Sequence, residues 1–225
     1  LALVKGIHPR AQRGIFWLFH VTFSEKPCYQ RKREDEKGVN VLDDHQLMIS
    51  VRSGETEMLG QLFEAHHKRL YNYFLNQTGN RLASEDLVSD VFFRMLKYRH
   101  TYKDEGRFLT WMYAIARNAR IDYYKGHNVR SEFLEEPDNL TSNAPNPGEK
   151  YEQLDDITLL RRAMAELPDD RREVLLMSRF SHMRYREIGE ILGCTVGTVK
   201  VRVYRAMKEL TERYFKLAGE KSHEM

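Results

Sequence analysis

From Asp43 onward apolar residues recur at spacings of three and four, the period of one helix face, and no stretch reads as successive strands with turns between them. Between Met58 and Phe74 the set Leu59, Leu62, Phe63, His66, Leu70, Tyr73 and Phe74 predicts an amphipathic helix, broken by the polar run Asn-Gln-Thr-Gly-Asn-Arg. Leu87, Val88, Val91, Phe92, Met95 and Leu96 predict a second helix. Ser84 is its expected N-cap, and Glu85 and Asp86 fall in the first turn, where the helix dipole favours acids. A third helix is expected from about Phe108 to Lys125, after a turn around Lys103 to Gly106. Its buried stripe would be Phe108, Trp111, Ile115 and Ala119, leaving Arg117, Arg120 and Tyr124 on another face.

The stretch from Asn128 to Tyr151 holds Pro137, Pro145, Pro147 and Gly148 among Ser, Asn and acids, with almost no apolar period, and reads as a linker. Helices resume near Glu152, where Leu159, Leu160, Ala163, Met164 and Leu167 form one stripe that ends at Pro168. Asp169 or Asp170 then opens a helix carrying Val174, Leu175, Met177 and Ser178, and the segments Tyr185 to Leu192 and Thr195 to about Tyr214 complete the set. The expected fold is all-α: two small helical domains, 43–127 and 152–215, joined by a flexible acidic linker, 128–151. A poorly ordered extension, 1–42, precedes them and a short tail, 216–225, follows.

The last two helices are separated by Gly193-Cys194-Thr195, which is helix-turn-helix spacing. Gly193 suits the left-handed position that ends the first of them, and Thr195 can cap the second. On a wheel of 100° per residue, Val196, Val199, Val203, Ala206 and Leu210 share one sector, and Ile188 and Leu192 can meet them. Lys200, Val201, Tyr204, Arg205 and Lys208 then lie outward. Cations mixed with an aromatic and an aliphatic residue suit a DNA major groove, where charge holds phosphates and apolar groups meet thymine methyls.

Composition narrows the class. The chain has 225 residues, 41% hydrophobic and 31% charged, which describes a globular protein rather than a membrane or disordered one. Its net charge of +3 is unevenly spread: Arg107 to Arg130 has five cations and one acid, Ser131 to Thr158 eight acids and one cation, and Gly193 to Lys208 four cations and no acid. Two basic blocks flanking an acidic bridge point to two polyanion-binding surfaces on separate units. The only cysteines, Cys28 and Cys194, lie far apart with no C-x-x-C partner, so neither a disulfide framework nor a zinc site is expected, and a reducing cytoplasm is the natural setting. The nine histidines are scattered and read as ordinary core or surface residues. The near-apolar run Gly14 to Phe23 is too short to span a bilayer. Lys5, Arg10 and Arg13 precede it, but no small-residue cleavage site follows, and an extension without a stable fold of its own is expected.

Three blocks together resemble a known family. Leu167 to Leu210 (LPDDRREVLLMSRFSHMRYREIGEILGCTVGTVKVRVYRAMKEL) is similar to region 4 of the bacterial sigma-70 factors, the module that reads the promoter −35 element. Ser84 to Leu96 (SEDLVSDVFFRML) and Phe108 to Lys125 (FLTWMYAIARNARIDYYK) are similar to region 2, which binds the polymerase clamp and melts the −10 element. The order is that of the family, and a short acidic linker stands where a long region 3 would be, the layout of the extracytoplasmic-function (ECF) group. Residues 1 to about 40 have no counterpart in that pattern.

The resemblance implies a set of sites. The −35 contacts would be Thr198, Lys200, Val201, Arg202, Tyr204 and Arg205, of which the wheel independently places Lys200, Val201, Tyr204 and Arg205 outward. The family often has a small polar residue where this chain has Val201, and valine cannot hydrogen-bond a base edge, although it can meet a thymine methyl. The −10 contacts would be Arg117, Asn118, Arg120, Tyr123, Tyr124 and Lys125, cations for phosphates beside rings for unstacked bases, with Trp111 assigned to packing. The loop Tyr102 to Arg107 would pocket a base flipped out of the −10 strand, helping to hold the duplex open without ATP. Glu85, Asp86, Leu87, Asp90, Val91 and Phe92 would meet core RNA polymerase at the clamp helices of its β′ subunit, and region 4 the β flap. Promoter DNA and an anti-sigma protein complete the implied partners. No cofactor, metal or small-molecule substrate is implied.

Two other classes compete. A helix-turn-helix regulator of the response-regulator or quorum-sensor type would share the C-terminal motif, but would put a sensory or receiver domain where this chain has WMYAIARNARIDYYK. An enzyme acting on nucleic acid would need paired carboxylates, a Gly-rich phosphate loop, a metal motif or a nucleophile elbow, and the sequence offers none of these patterns.

Overall fold

A computed structural model of the chain describes residues 43–103, 106–128 and 151–223, with side chains described for 43–103, 106–126 and 158–219. The expected N-terminal extension, nearly all of the expected linker and the end of the expected tail lie outside the described residues. The described residues form eight α-helices and no strand. Contacts sort the chain into two compact units, one made chiefly of residues 43–128 and the other chiefly of 151–223.

The first unit opens with α1 (Asp44–Ser53), capped by the Asp43 carboxylate, which accepts from the Gln46 amide at 2.8 Å. It buries Leu47, Met48 and Val51 and stops at Gly54, whose φ of 118° few side-chain-bearing residues adopt. Next, α2 (Leu59–Thr78) buries Leu62, His66, Leu70, Tyr73, Phe74 and Gln77, four turns of a single stripe. His66 on that stripe is a paired core histidine: its Nε2 lies 2.9 Å from Asp44 Oδ2. Gly79 ends α2 in the left-handed region, so the helix runs three residues into the polar run that was expected to break it.

The second predicted helix starts earlier than expected. In α3 (Arg81–Lys97) the N-cap is Asn80, whose side chain accepts from the Ala83 amide at 3.0 Å. Ser84, the expected cap, is fully buried inside the first turns and donates its hydroxyl to the Asn80 carbonyl at 2.6 Å. Two cap-type residues stand four apart, and Gly79 decides between them by turning the chain so that Asn80 enters extended.

The last helix of this unit is α4 (Phe108–Asn128). α3 packs against both α2 and α4, and α1 lies against the same two helices. The buried side of α4 is Phe108, Met112, Tyr113, Ala116, Ala119 and Arg120, while Trp111 and Ile115 are half-buried. Both this stripe and the expected one fit a helical period. The neighbours choose, with Tyr73 meeting Tyr113 edge-on at 5.2 Å.

The second unit comprises α5 (Tyr151–Ala165), α6 (Asp169–Leu175) widening into a π turn over Leu176–Phe180, α7 (Tyr185–Leu192) and α8 (Val196–His223). The stripe Leu160, Ala163, Met164 and Leu167 is buried, and α8 covers it and α6 with Val199, Val203, Ala206, Leu210, Tyr214 and Leu217. Because that stripe continues through Leu217, α8 runs on through most of the segment expected to be a tail. Glu187 accepts from the Arg184 amide at 2.7 Å, half of a capping box at the start of α7.

Arg172 joins α5 to α6. Its guanidinium donates to the carbonyls of Met164 (2.9 Å), Ala165 (2.6 Å) and Leu167 (2.7 Å), satisfying the orphan acceptors at the end of α5 with a positive charge where the dipole favours one. Arg172→Met keeps much of the stem and removes all three bonds. It is expected to destabilise the second unit by about 2 kcal/mol, read as a shifted urea midpoint with an unchanged slope.

Candidate nucleic-acid and protein interfaces

The turn between α7 and α8 is built on a close approach. Gly193 sits at φ 63°, and the Cys194 amide donates to the Gly189 carbonyl at 2.9 Å. A Cβ on Gly189 would lie 2.7 Å from the Cys194 carbonyl oxygen, nearer than real Cβ atoms come. Gly189 therefore sets how tightly the two helices cross, a role the sequence reading missed. The available signal was an isolated glycine inside an otherwise apolar-periodic helix. Thr195 caps α8 as expected, its hydroxyl accepting from the Thr198 amide at 3.2 Å.

Ile188, Val199, Val203, Ala206 and Leu210 form the buried side, with Leu192 half-buried beside them. Val196, placed by the wheel in the core sector, is 40% exposed. It stands in the first turn, ahead of the packed stretch that begins at Val199, and a core sector buries a residue only where a neighbour covers it. Thr198, Lys200, Val201, Arg202, Tyr204 and Arg205 are all exposed.

The cations on and beside this helix differ in their pairing. Arg171 pairs with Glu209, Arg213 bridges Glu209 (2.7 Å) and Glu166 (3.5 Å), and Lys208 reaches Glu212 (3.7 Å). Lys200, Arg202 and Arg205 pair with no described acid. The N-terminal half of α8 thus presents uncompensated positive charge around two exposed apolar groups, Val201 and Tyr204.

On α4, Asn118 and Lys125 are exposed and Arg117, Tyr123 and Tyr124 half-buried. Arg117 and Tyr124 are seven apart and share a face, as do Asn118 and Lys125. Arg120, expected among the DNA contacts, is only 6% exposed. It continues the buried row of Met112 and Ala116, with its long stem over apolar surface and its guanidinium 5.8 Å from the Tyr124 ring. The Tyr124 hydroxyl reaches the Gln77 carbonyl at 3.5 Å, so the ring lies between the Arg120 guanidinium and the end of α2. Trp111, assigned to packing, is half-buried and donates its indole N–H to Thr101 Oγ1 at 3.3 Å.

The expected protein-binding face of α3 needs a larger correction. Glu85 and Asp86 are exposed, but Leu87, Val91 and Phe92 are buried (2%, 0% and 6% exposed) because α3 has neighbours on two sides. A partner cannot reach them. The outward apolar groups are Leu82 (70%) and Phe93 (63%), which form with Asp86 and Ser89 a row at spacings of four, three and four.

Asp90 is partly committed elsewhere. Arg94 bridges it (2.9 Å) to Asp122 of α4 (2.6 Å). Burial alone would lower the Arg94 pKa, but hydrogen bonds to Asp122 and Asp90 outweigh it and hold the guanidinium above its ordinary value. Among the described residues, no group of His, Cys, Asp and Glu is placed to hold a metal ion, and no helix is long and apolar enough to cross a membrane.

Comparison with known proteins places both units. Residues 62–129 match the family model for Sigma-70 region 2, and residues 157–210 the model for Sigma-70, region 4. The RNA polymerase sigma factor YlaC of Bacillus subtilis is 27% identical over 163 residues, covering 71% of this chain and 94% of that protein. The ECF RNA polymerase sigma factor SigM of the same organism is 27% identical over 157 residues, covering 69% of this chain and 94% of its own. Two solved structures share the fold. The sigma factor RpoE in complex with the anti-sigma factor NepR from Bartonella quintana aligns with a TM-score of 0.56 at 24% identity, over 68% of this chain and 94% of that one. CnrH in complex with the cytosolic domain of CnrY aligns with a TM-score of 0.58 at 21% identity, over 75% and 95%.

Proposed function

From the premise that the chain belongs to the sigma-70 family, of which it carries regions 2 and 4, we propose that it is an alternative sigma factor of the ECF group. It binds core RNA polymerase, reads −35 duplex with its second unit and melts −10 DNA with its first. The observation that carries this reading is region 2 ahead of region 4 in one chain. A regulator of the response-regulator type has a use for the helix-turn-helix but none for a strand-melting module.

The division of labour follows from charge and exposure. On α8, Lys200, Arg202 and Arg205 hold phosphates while Thr198, Val201 and Tyr204 face base edges. On α4, Arg117 and Lys125 track the backbone of the unwound strand, and Asn118, Tyr123 and Tyr124 meet its bases. The outward row of α3, from Leu82 through Glu85 and Asp86 to Phe93, docks on the β′ clamp helices: an apolar anchor at each end and acids between them match a groove with basic edges. Region 4 meets the β flap, and an anti-sigma protein of the kind bound to the structural relatives holds the factor inactive in the cytoplasm. The chain performs no chemistry of its own, since bond formation belongs to the polymerase.

Run-off transcription on a promoter library, with purified core polymerase alone and with this chain added, tests the reading. Transcripts from defined start sites only in the presence of the chain support it. Specific duplex binding without such transcripts would favour the regulator. On the −35 duplex so identified, Lys200→Ala and Arg205→Ala are each expected to weaken binding several-fold and to flatten the slope of log K against log salt by about 1, while affinity for core polymerase is unchanged. An unchanged slope would remove these side chains from the phosphate contacts.

A further inference from the structure

Helix α4 carries a single acid. Along Phe108–Asn128 the cations are Arg117, Arg120 and Lys125, and Asp122 stands alone against them. Its place on the helix matters more than its rarity. Asn118, Asp122 and Lys125 are all exposed and follow one another at spacings of four and three, so they form one row along α4. Asp122 therefore sits in the middle of the side that Asn118 and Lys125 give to the unwound strand in the reading above. An uncompensated carboxylate at that point would repel each phosphate that approached.

A charge from the neighbouring helix answers it. Arg94 of α3 donates from Nη1 to Asp122 Oδ2 at 2.6 Å and from Nε to Asp90 Oδ2 at 2.9 Å. Asp90 lies four residues back on the same helix as Arg94, and by engaging Nε it leaves Nη1 to point across at α4. A guanidinium keeps its proton throughout the ordinary pH range, so the compensation is permanent. Asp122 is 53% exposed, and ion pairs this wet add little to stability, which makes holding α3 to α4 a weak reason for the bridge.

We propose that Arg94 serves the DNA face of α4: it cancels the one acid on the strand-facing row, acting on the strand through Asp122 as a positioning residue. This rests on the assignment of α4 to −10 DNA. The charge arithmetic fixes the sign of each substitution. Arg94→Gln keeps part of the stem and a hydrogen-bonding end but removes one positive charge, leaving Asp122 bare. Asp122→Asn removes one negative charge and frees the guanidinium. Made together, the two changes return the row to its original net charge. A bridge that only tied the helices together would behave differently, because either substitution breaks it, both would weaken binding and the pair would be no better than one.

The test uses the holoenzyme, this chain with core polymerase, and a labelled single-stranded −10 oligonucleotide of the sequence found by run-off transcription, at about 50 mM salt. Core polymerase affinity is titrated alongside, so that each value is taken with the complex formed. Arg94→Gln is expected to weaken oligonucleotide binding by about fivefold, Asp122→Asn to tighten it by about twofold or more, and the double variant to lie within about twofold of the unsubstituted chain. At about 0.5 M salt, where screening acts within a few ångström, the Arg94→Gln defect should shrink to less than about twofold.

Unchanged binding by Arg94→Gln would overturn the proposal. So would weakening by Asp122→Asn, or a defect that persists at high salt and that the double variant does not repair, each of which marks a merely structural bridge. Asp122→Asn alters one exposed group and carries the test should Arg94→Gln fail to fold: tightening supports the proposal, and weakened or unchanged binding ends it. If the unsubstituted chain supports no promoter-dependent transcripts, the −10 assignment fails and this proposal with it, which is seen before any variant is made.

Discussion

Gly189→Ala is expected to abolish −35 recognition, lowering the affinity of the holoenzyme for −35 duplex by about a hundredfold while leaving core polymerase affinity unchanged. The added methyl would sit 2.7 Å from the Cys194 carbonyl oxygen, which is backbone and cannot swing aside. Either the hydrogen bond from Cys194 N to Gly189 O, now 2.9 Å, lengthens, or α7 and α8 rotate apart. Overpacking of this kind costs about 1–3 kcal/mol in stability, which a packed four-helix unit can absorb. Recognition is less tolerant. Arg205 lies nine residues along α8 from Val196, about 14 Å at 1.5 Å per residue, so a tilt of about 10° displaces its contact by about 2 Å. Binding of labelled duplex by the holoenzyme, alongside a core-binding titration, measures both quantities. Wild-type duplex affinity would show that the turn is not the pivot described here.

The second large effect separates two adjacent phenylalanines. Phe93→Ala combined with Asp86→Lys is expected to weaken core polymerase binding by about a hundredfold or more. An exposed aromatic anchor commonly contributes about 2–4 kcal/mol at an interface, and the reversed charge faces a basic groove edge. Since Phe93 is 63% exposed and Asp86 is exposed, the melting temperature should barely move. Phe92→Ala should behave in the opposite way. Phe92 is 6% exposed and its ring packs 4.9 Å from that of Phe63, so its loss is expected to cost about 3–5 kcal/mol in stability and to affect polymerase binding only through unfolding. Affinity for core polymerase and melting temperature, measured on both proteins, distinguish the two roles. If the Phe93 and Asp86 changes left binding intact, the outward row of α3 would not be the docking face.

Much of this architecture is local and therefore legible in the chain. Helix period, the cap at Thr195, the left-handed Gly193 and the outward face of α8 all depend on residues within a few positions of one another. The outward face of α8 is legible because the helix has one broad buried side, and a single wheel then suffices to name the other. The positively charged residues there also stand free of described acids, as an acid-free stretch of sequence implies.

Where a helix has neighbours on more than one side, the wheel is not enough. In α4 two stripes fit the period equally, and the packing of α2 and α3 selected the one that buries Arg120 and half-exposes Trp111. Val196 and Gly189 tell the same story at the turn: one is 40% exposed because the described neighbours cover the first turn of α8 only in part, the other is required because a backbone carbonyl comes so near. What the sequence determined by itself was two helical units, their order, the family they belong to and the motif that reads duplex DNA. Which of Phe92 and Phe93 is core and which is surface only the tertiary structure decided. Neighbouring positions on a helix differ by 100°, and it is the placement of α2 and α4 around α3 that says which direction is inside.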